Sequence, residues 1–155
     1  MTTPLQAREI FQGAWSGPGR LVPLGVGRIF QGVDPLEFRN HFEWVSDTLC
    51  VVDETIDFAS GRTMRRRMFV QQTAPDRMRV TADDMPGGAE LRLHAWGYDF
   101  SRYTVLAPFA GRHWLLRCHD VNRLDDLGRV VDVVRMTYRG LPVVRLELGP
   151  LVRGG

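Results

Sequence analysis

Five polar residues, Asn40, Glu54, Arg66, Asp120 and Asp132, stand where the surrounding pattern calls for apolar side chains. Each falls in a short stretch whose alternate positions are aliphatic, sulfur-bearing or aromatic, so each points to the apolar side of a strand. A charge on that side must be paired, protonated, hydrated or in contact with a ligand, because burying it alone is costly. Glu54 and Arg66 flank the turn Ala59-Ser60-Gly61, which predicts an inner Glu–Arg pair. Asp120 and Asp132 flank the turn Asp125–Gly128 at about equal distances, which predicts that they face each other on neighbouring strands. Adjacent carboxyls raise one another's pKa and share a proton, an arrangement suited to general acid–base chemistry. Both pairs would serve equally well as ties within the wall, and alternation alone does not choose.

Four residues are therefore candidate acid–base groups: Glu54, Asp120, Asp132 and His94. His94 shares a face with Trp96 and Tyr98, opposite Leu91, Leu93 and Ala95, and either face could look inward. His41, His113 and His119 alternate onto outer faces. A candidate ligand wall is formed by Asn40, Phe42, Trp44, Met68, Trp96, Tyr98, Trp114 and Tyr138. Arg66 would offer it a charge-assisted contact to a carboxylate or enolate oxygen. No metal is expected, since the two cysteines, Cys50 and Cys118, have no ligand-like spacing. They are expected to be free, buried thiols. Asp83-Asp84, ahead of Pro86-Gly87-Gly88, reads as a turn, and no Ser–His–Asp or Cys–His arrangement emerges.

The elements that position these groups are strands. Period-two alternation, broken by turn residues, places candidate strands at 13–23, 26–32, 35–45, 49–58, 62–73, 77–84, 89–99, 103–109, 113–123, 129–138 and 142–149. A short helix is expected within 4–12, started by Pro4, so that residues 1–12 form an N-terminal helix or arm. The turns include Ala110-Gly111. Many strands joined by short hairpins describe an up-and-down meander, and closing it removes the exposed edges. The expectation is one domain over residues 1–155, an all-β antiparallel barrel of about 8–10 strands, whose lumen holds a ligand.

Composition narrows the function. All 20 basic residues are arginine, so no lysine is available for Schiff-base chemistry. The 18 acidic residues are interspersed with them and the net charge is only +2, which predicts no nucleic-acid partner. The first residues lack a basic region followed by an apolar run, which predicts no signal peptide, no stable membrane insertion and a cytoplasmic location.

Gly13-Ala14-Trp15-Ser16-Gly17-Pro18-Gly19 opens the first strand with the pattern GxWxGxG. It resembles the first-strand signature of the calycins, the lipocalins and their relatives. That resemblance implies an arginine of the last strand packed over the tryptophan, for which Arg145 is the matching candidate. The spaced glycines are also similar to those of nitrobindin-like haem barrels. Those place a ligating histidine near the C-terminus; no histidine follows His119 here, and no cofactor is expected. A longer order of features runs through Asp53-Glu54, Gly61, Arg65-Arg66, Asp83-Asp84, Trp96-Gly97-Tyr98, Trp114, Asp120 and Gly140-Leu141-Pro142-Val143. It resembles an uncharacterised bacterial family of lipocalin-like proteins, many regarded as lipoproteins. The chain departs from that family at Met68, where a tryptophan is expected, and at Asp132, where an asparagine is expected. The resemblance implies a fold and little about activity.

Two functions follow as expectations. One is the binding of a small lipophilic molecule, such as a fatty acid, lipid intermediate, isoprenoid or polyketide, by a monomer or homodimer. The other is a cofactor-independent isomerase, cyclase or hydratase that uses the inward acids or His94.

Overall fold

A computed structural model of the protein describes residues 6–109 and 111–154. Ten strands close into one antiparallel barrel in which every strand pairs with its sequence neighbours and β1 pairs with β10. They are β1 (Gly13–Pro23), β2 (Asp34–Trp44), β3 (Leu49–Phe58), β4 (Thr63–Ala74), β5 (Arg77–Ala82), β6 (Ala89–His94), β7 (Gly97–Phe109), β8 (Arg112–Leu124), β9 (Val130–Tyr138) and β10 (Leu141–Arg153). The helix α1 (Ala7–Ile10) precedes them. Pro4 of the expected helix and Ala110 of the expected turn lie outside the described residues. Among the described residues no helix is long and apolar enough to cross a membrane.

Alternation works where strands are unbroken. In β3 the buried positions Cys50, Val52, Ile56 and Phe58 fall on one parity, with Glu54 among them. The outer parity carries ion pairs such as Arg67–Asp53 and Arg39–Asp57. Exposed pairs of this kind contribute at most about 1 kcal/mol each, so the fold rests on the inner face.

Three expectations about strands are corrected. Residues 26–32 are not a strand: Gly25–Ile29 forms a short 3-10 helix that crosses one end of the barrel. Leu24 N–H donates to the Val143 carbonyl at 2.9 Å there. Val26 and Phe30 then cover a small apolar cavity bordered by Phe109, Trp114, Tyr138 and Val143. The stretch 89–99 is two strands, because Ala95 and Trp96 turn the chain between β6 and β7. β7 in turn runs through to Phe109, joined across 99–103 by a bulge between Phe100 and Tyr103. Finally, β10 does not stop at Gly149 but continues past Pro150 to Arg153.

That last extension decides what covers Trp15. The residue opposite Trp15 is Arg153, whose guanidinium lies 4.7 Å from the ring centre. Arg145 is opposite Val22 instead and pairs with Glu147 at 2.8 Å. An arginine of the last strand does cap the tryptophan, but it is Arg153 and not Arg145.

α1 is fastened over this end of the barrel by backbone acceptors. Trp15 Nε1–H donates to the Ile10 carbonyl at 3.1 Å, Trp44 Nε1–H to the Phe11 carbonyl at 2.6 Å, and an Arg153 N–H to the Glu9 carbonyl. Phe11, at the C-terminal end of α1, is thereby held as a buried stopper against Phe42 and Tyr98, with ring centres 5.3 and 5.0 Å apart.

Candidate functional site

Two rows of side chains cross the lumen, and strand register sets both. On one wall Asn40 of β2 is opposite Glu54 of β3, which is opposite Arg66 of β4. On the other, Tyr98 of β7 is opposite Asn122 of β8, which is opposite Asp132 of β9. Asp120 sits one inward step along β8, opposite Phe100 and Val134. Between the rows lies a cavity of about 70 Å³. Apart from Tyr103, its remaining lining is apolar, with Phe11, Phe38, Phe42, Met68 and Val80 prominent.

Arg66 enters the lumen already engaged. Its Nη2 donates to Asp84 Oδ1 at 2.9 Å, and its Nη1 lies 3.8 Å from Glu54 Oε1. Burial works against the guanidinium's charge, but Glu54 and Asp84 together outweigh it and push its pKa up. Glu54 has one cation at a longer distance, so burial dominates and raises its carboxyl above the usual range. Glu54 and Arg66 are direct register partners.

Asp120 and Asp132 are diagonal neighbours and not directly opposed, because Asp132 pairs in register with Asn122. Each carboxyl nonetheless shifts the titration of the other, so the two act as a pair. Burial raises both. Asp120 is pulled back by Asp132, by Asn122 Nδ2–H at 2.6 Å and by the Tyr103 hydroxyl at 3.4 Å. Asp132 lacks such donors and is held well above the ordinary carboxyl range by burial and by the charge of Asp120. With two donors on Asp120 and none on Asp132 among the described residues, Asp132 is the member of the pair that holds a proton more firmly. Tyr98 and Tyr103 are pushed up by burial and stay neutral hydroxyls.

Three buried polar atoms at this cavity have no hydrogen-bond partner among the described residues: Asn40 Oδ1, Arg66 Nε and Asp132 Oδ1. Each such orphan costs about 1–3 kcal/mol.

Asp132 in particular stores instability that substitution should release. Its folded pKa lies above its unfolded value, so the folded state binds the extra proton. Stability is then fullest at acid pH and falls as pH rises through the raised folded value. Asp132→Asn keeps a donor for Asp120 and cannot ionise. The expected result is a gain of about 1–2 kcal/mol at pH 8, shrinking toward pH 4, read by urea melts at both values. An equal effect at the two pH values would count against this account.

Phe42, Met68 and Tyr98 line the cavity together with Asn40, Glu54, Arg66, Asp120 and Asp132. Other residues read from the sequence as site candidates lie elsewhere. His94 stacks on Trp96 with ring centres 4.5 Å apart and faces Asp99 at 3.4 Å, outside the lumen. Trp96 is 37% exposed and carries Arg123 over its ring. Trp44 is spent on holding α1. Trp114 and Tyr138 pack edge to face, 5.3 Å apart, beneath the 3-10 helix at the opposite end.

The lumen also contains residues that the sequence reading passed over. Asn122 shares the parity of Cys118 and Asp120, a signal that was available. Tyr103 sits behind the β7 bulge and Phe11 lies on the arm, so neither carried one. Asp84, the closest acidic partner of Arg66, lies just outside the cavity lining and was hidden by its turn. Cys50 and Cys118 are free and buried, and burial pushes the thiols up to about 11 and about 12. Among the described residues no cluster of His, Cys, Asp or Glu is arranged to hold a metal ion. The sequence matches no protein-family model and no curated protein.

Proposed function

We propose that the barrel binds a small, compact lipophilic molecule bearing a polar head, enclosed in the lumen between α1 and the 3-10 helix. The observation that carries this reading is the set of orphaned atoms. Asn40 Oδ1, Arg66 Nε and Asp132 Oδ1 border one cavity whose other walls are largely aromatic and aliphatic. A polar head would meet the first three and an apolar body the rest. At about 10–15 Å³ for each water-sized site, the cavity of about 70 Å³ has room for a few heavy atoms as it stands. Among lipid-like candidates this favours short or branched isoprenoid- and polyketide-type fragments. A fatty acid would have to displace Phe11.

Native mass spectrometry of the purified protein, with thermal-shift titration of short isoprenoid, polyketide and acyl compounds, tests the reading. Met68→Trp fills the lumen and is the control. The expected result is an adduct or a melting shift in the natural chain that the filled variant loses. A bare mass, and no shift with any compound, would sink the proposal.

A second reading, a cofactor-independent isomerase, cyclase or hydratase, is favoured by one specific observation. Asp132, held above the ordinary carboxyl range, lies beside Asp120 at the cavity wall, which would supply an acid and a base at one point. On this reading Asp132→Asn retains the ligand and loses turnover. Retention of both by Asp132→Asn and by Glu54→Gln would exclude it.

A further inference from the structure

We propose that the polar head accepted by this cavity is a protonated amine, on a compact apolar body. The inference rests on the lumen-binding reading above and names the chemical class of its ligand. It starts from the balance of charge. Glu54, Asp120 and Asp132 line the cavity, Asp84 pairs with Arg66 from just outside that lining, and Arg66 is the one cation among the described residues that line it. Were Glu54 and Asp132 both to hold protons, Asp84 and Asp120 would still outnumber it. The arginines of the neighbouring outer faces, such as Arg67 and Arg39, are paired outside with Asp53 and Asp57 and lend the lumen nothing.

The free valences agree with this sign. Asp132 is only 7% exposed, and its Oδ1 receives no hydrogen bond from any N–H or hydroxyl among the described residues. Asn40 Oδ1 is likewise an acceptor without a donor. An ammonium group brings three donors and no acceptor, so it answers an orphaned acceptor oxygen and adds charge complementarity. A carboxylate head fits poorly. Both terminal nitrogens of Arg66 already face acids, at 2.9 and 3.8 Å, and the anion would sit among like charges. Arg66 Nε, the remaining orphan, would meet a hydroxyl or carbonyl oxygen on the same molecule. The aromatic faces of Phe11, Phe42 and Phe100 supply a wall that favours an organic cation over a neutral isostere.

Isosteric probes separate the possibilities. Isothermal titration calorimetry would compare 3-methylbutylammonium, 3-methylbutanol and 3-methylbutanoate at pH 7.5. The expected result is that the ammonium binds about tenfold tighter than the alcohol and that the carboxylate does not bind. Asp120→Asn, which takes the charge from the more acidic member of the pair, should remove most of that preference. Glu54→Gln, which also keeps its side-chain shape, should reduce the preference as well, so the test survives if one variant folds poorly. An alcohol or carboxylate that binds as tightly as the ammonium overturns the amine class and leaves the lumen reading standing. Failure of all three also overturns it, and the mass-spectrometric comparison with Met68→Trp then decides the lumen reading separately.

Discussion

Alanine at position 97 should destabilise the barrel by about 4 kcal/mol or more. Gly97 opens β7 with φ at 144°, in the region that side-chain-bearing residues avoid. A Cβ there would lie 2.0 Å from the Asn122 carbonyl oxygen and 3.0 Å from its carbon, both backbone atoms of the paired strand. Neither can yield without parting β7 from β8. For a chain of this size each kcal/mol moves the midpoint by about 2–4 °C, so the melt should fall by roughly 10 °C. Gly61→Ala is the matched control, since Gly61 also has positive φ but faces open space. It should cost only about 1 kcal/mol. The damage at Gly97 should extend to the site, because Asn122 is both the residue struck and the side-chain donor to Asp120. Melting of Gly97→Ala within two or three degrees of the control, by circular dichroism, would show that the strands have more give than this packing allows.

Arg66→Met should come next, at about 3–5 kcal/mol. The loss is not the worth of an ion pair. It is the cost of leaving Glu54 in a lumen with no cation, and of unpairing the half-buried Asp84. The sign with pH follows from Glu54, whose pKa burial already raises and which Arg66 alone pulls back. Without Arg66 its folded pKa climbs further, so the variant binds a proton more readily folded than unfolded and regains stability as pH falls. Urea melts at pH 5 and pH 8 should therefore show the larger loss at pH 8. The triple variant Glu54→Gln, Arg66→Met, Asp84→Asn removes the charges together and should recover most of the difference. If it does not, the arginine's stem matters more than its charge.

Which of these features the sequence could disclose depended on whether period-two parity ran unbroken. β3 is the clean case: its bounds fall at Leu49 and Phe58, as expected, and Glu54 lies inward between Val52 and Ile56. Asn40, Arg66, Asp120 and Asp132 reach the cavity by the same parity. Where the chain bends, parity fails. The turn at Ala95–Trp96 and the bulge before Tyr103 break the alternation between Leu93 and Tyr103, which is why the faces of 89–99 could not be told apart. Gly149-Pro150 reads as a stop, yet β10 bulges there and carries on, which moved the stack on Trp15 from Arg145 to Arg153. The tryptophans misled for another reason. Trp44 and Trp114 sit near strand ends, where the indole N–H reaches a carbonyl at the rim: that of Phe11 on the arm for Trp44 and that of Phe109 at the end of β7 for Trp114. Size and hydrophobicity place such a ring at the core but do not say which end of it.

The seam between β1 and β10 ties residues near the start of the chain to those near its end, with Trp15 beside Arg153 and Leu21 beside Leu146. Loop closure over such a separation is slow to be rewarded, and topologies dominated by such contacts fold late and cooperatively. On the ribosome β1 must wait, its edge unpaired, until the final strand emerges. Leu151, which lines the cavity, and Arg153, which pins α1 over it, both arrive with that strand. The lumen is thus a property of the finished chain alone: nine strands make a curved sheet with an exposed apolar face, and the tenth turns it into a container.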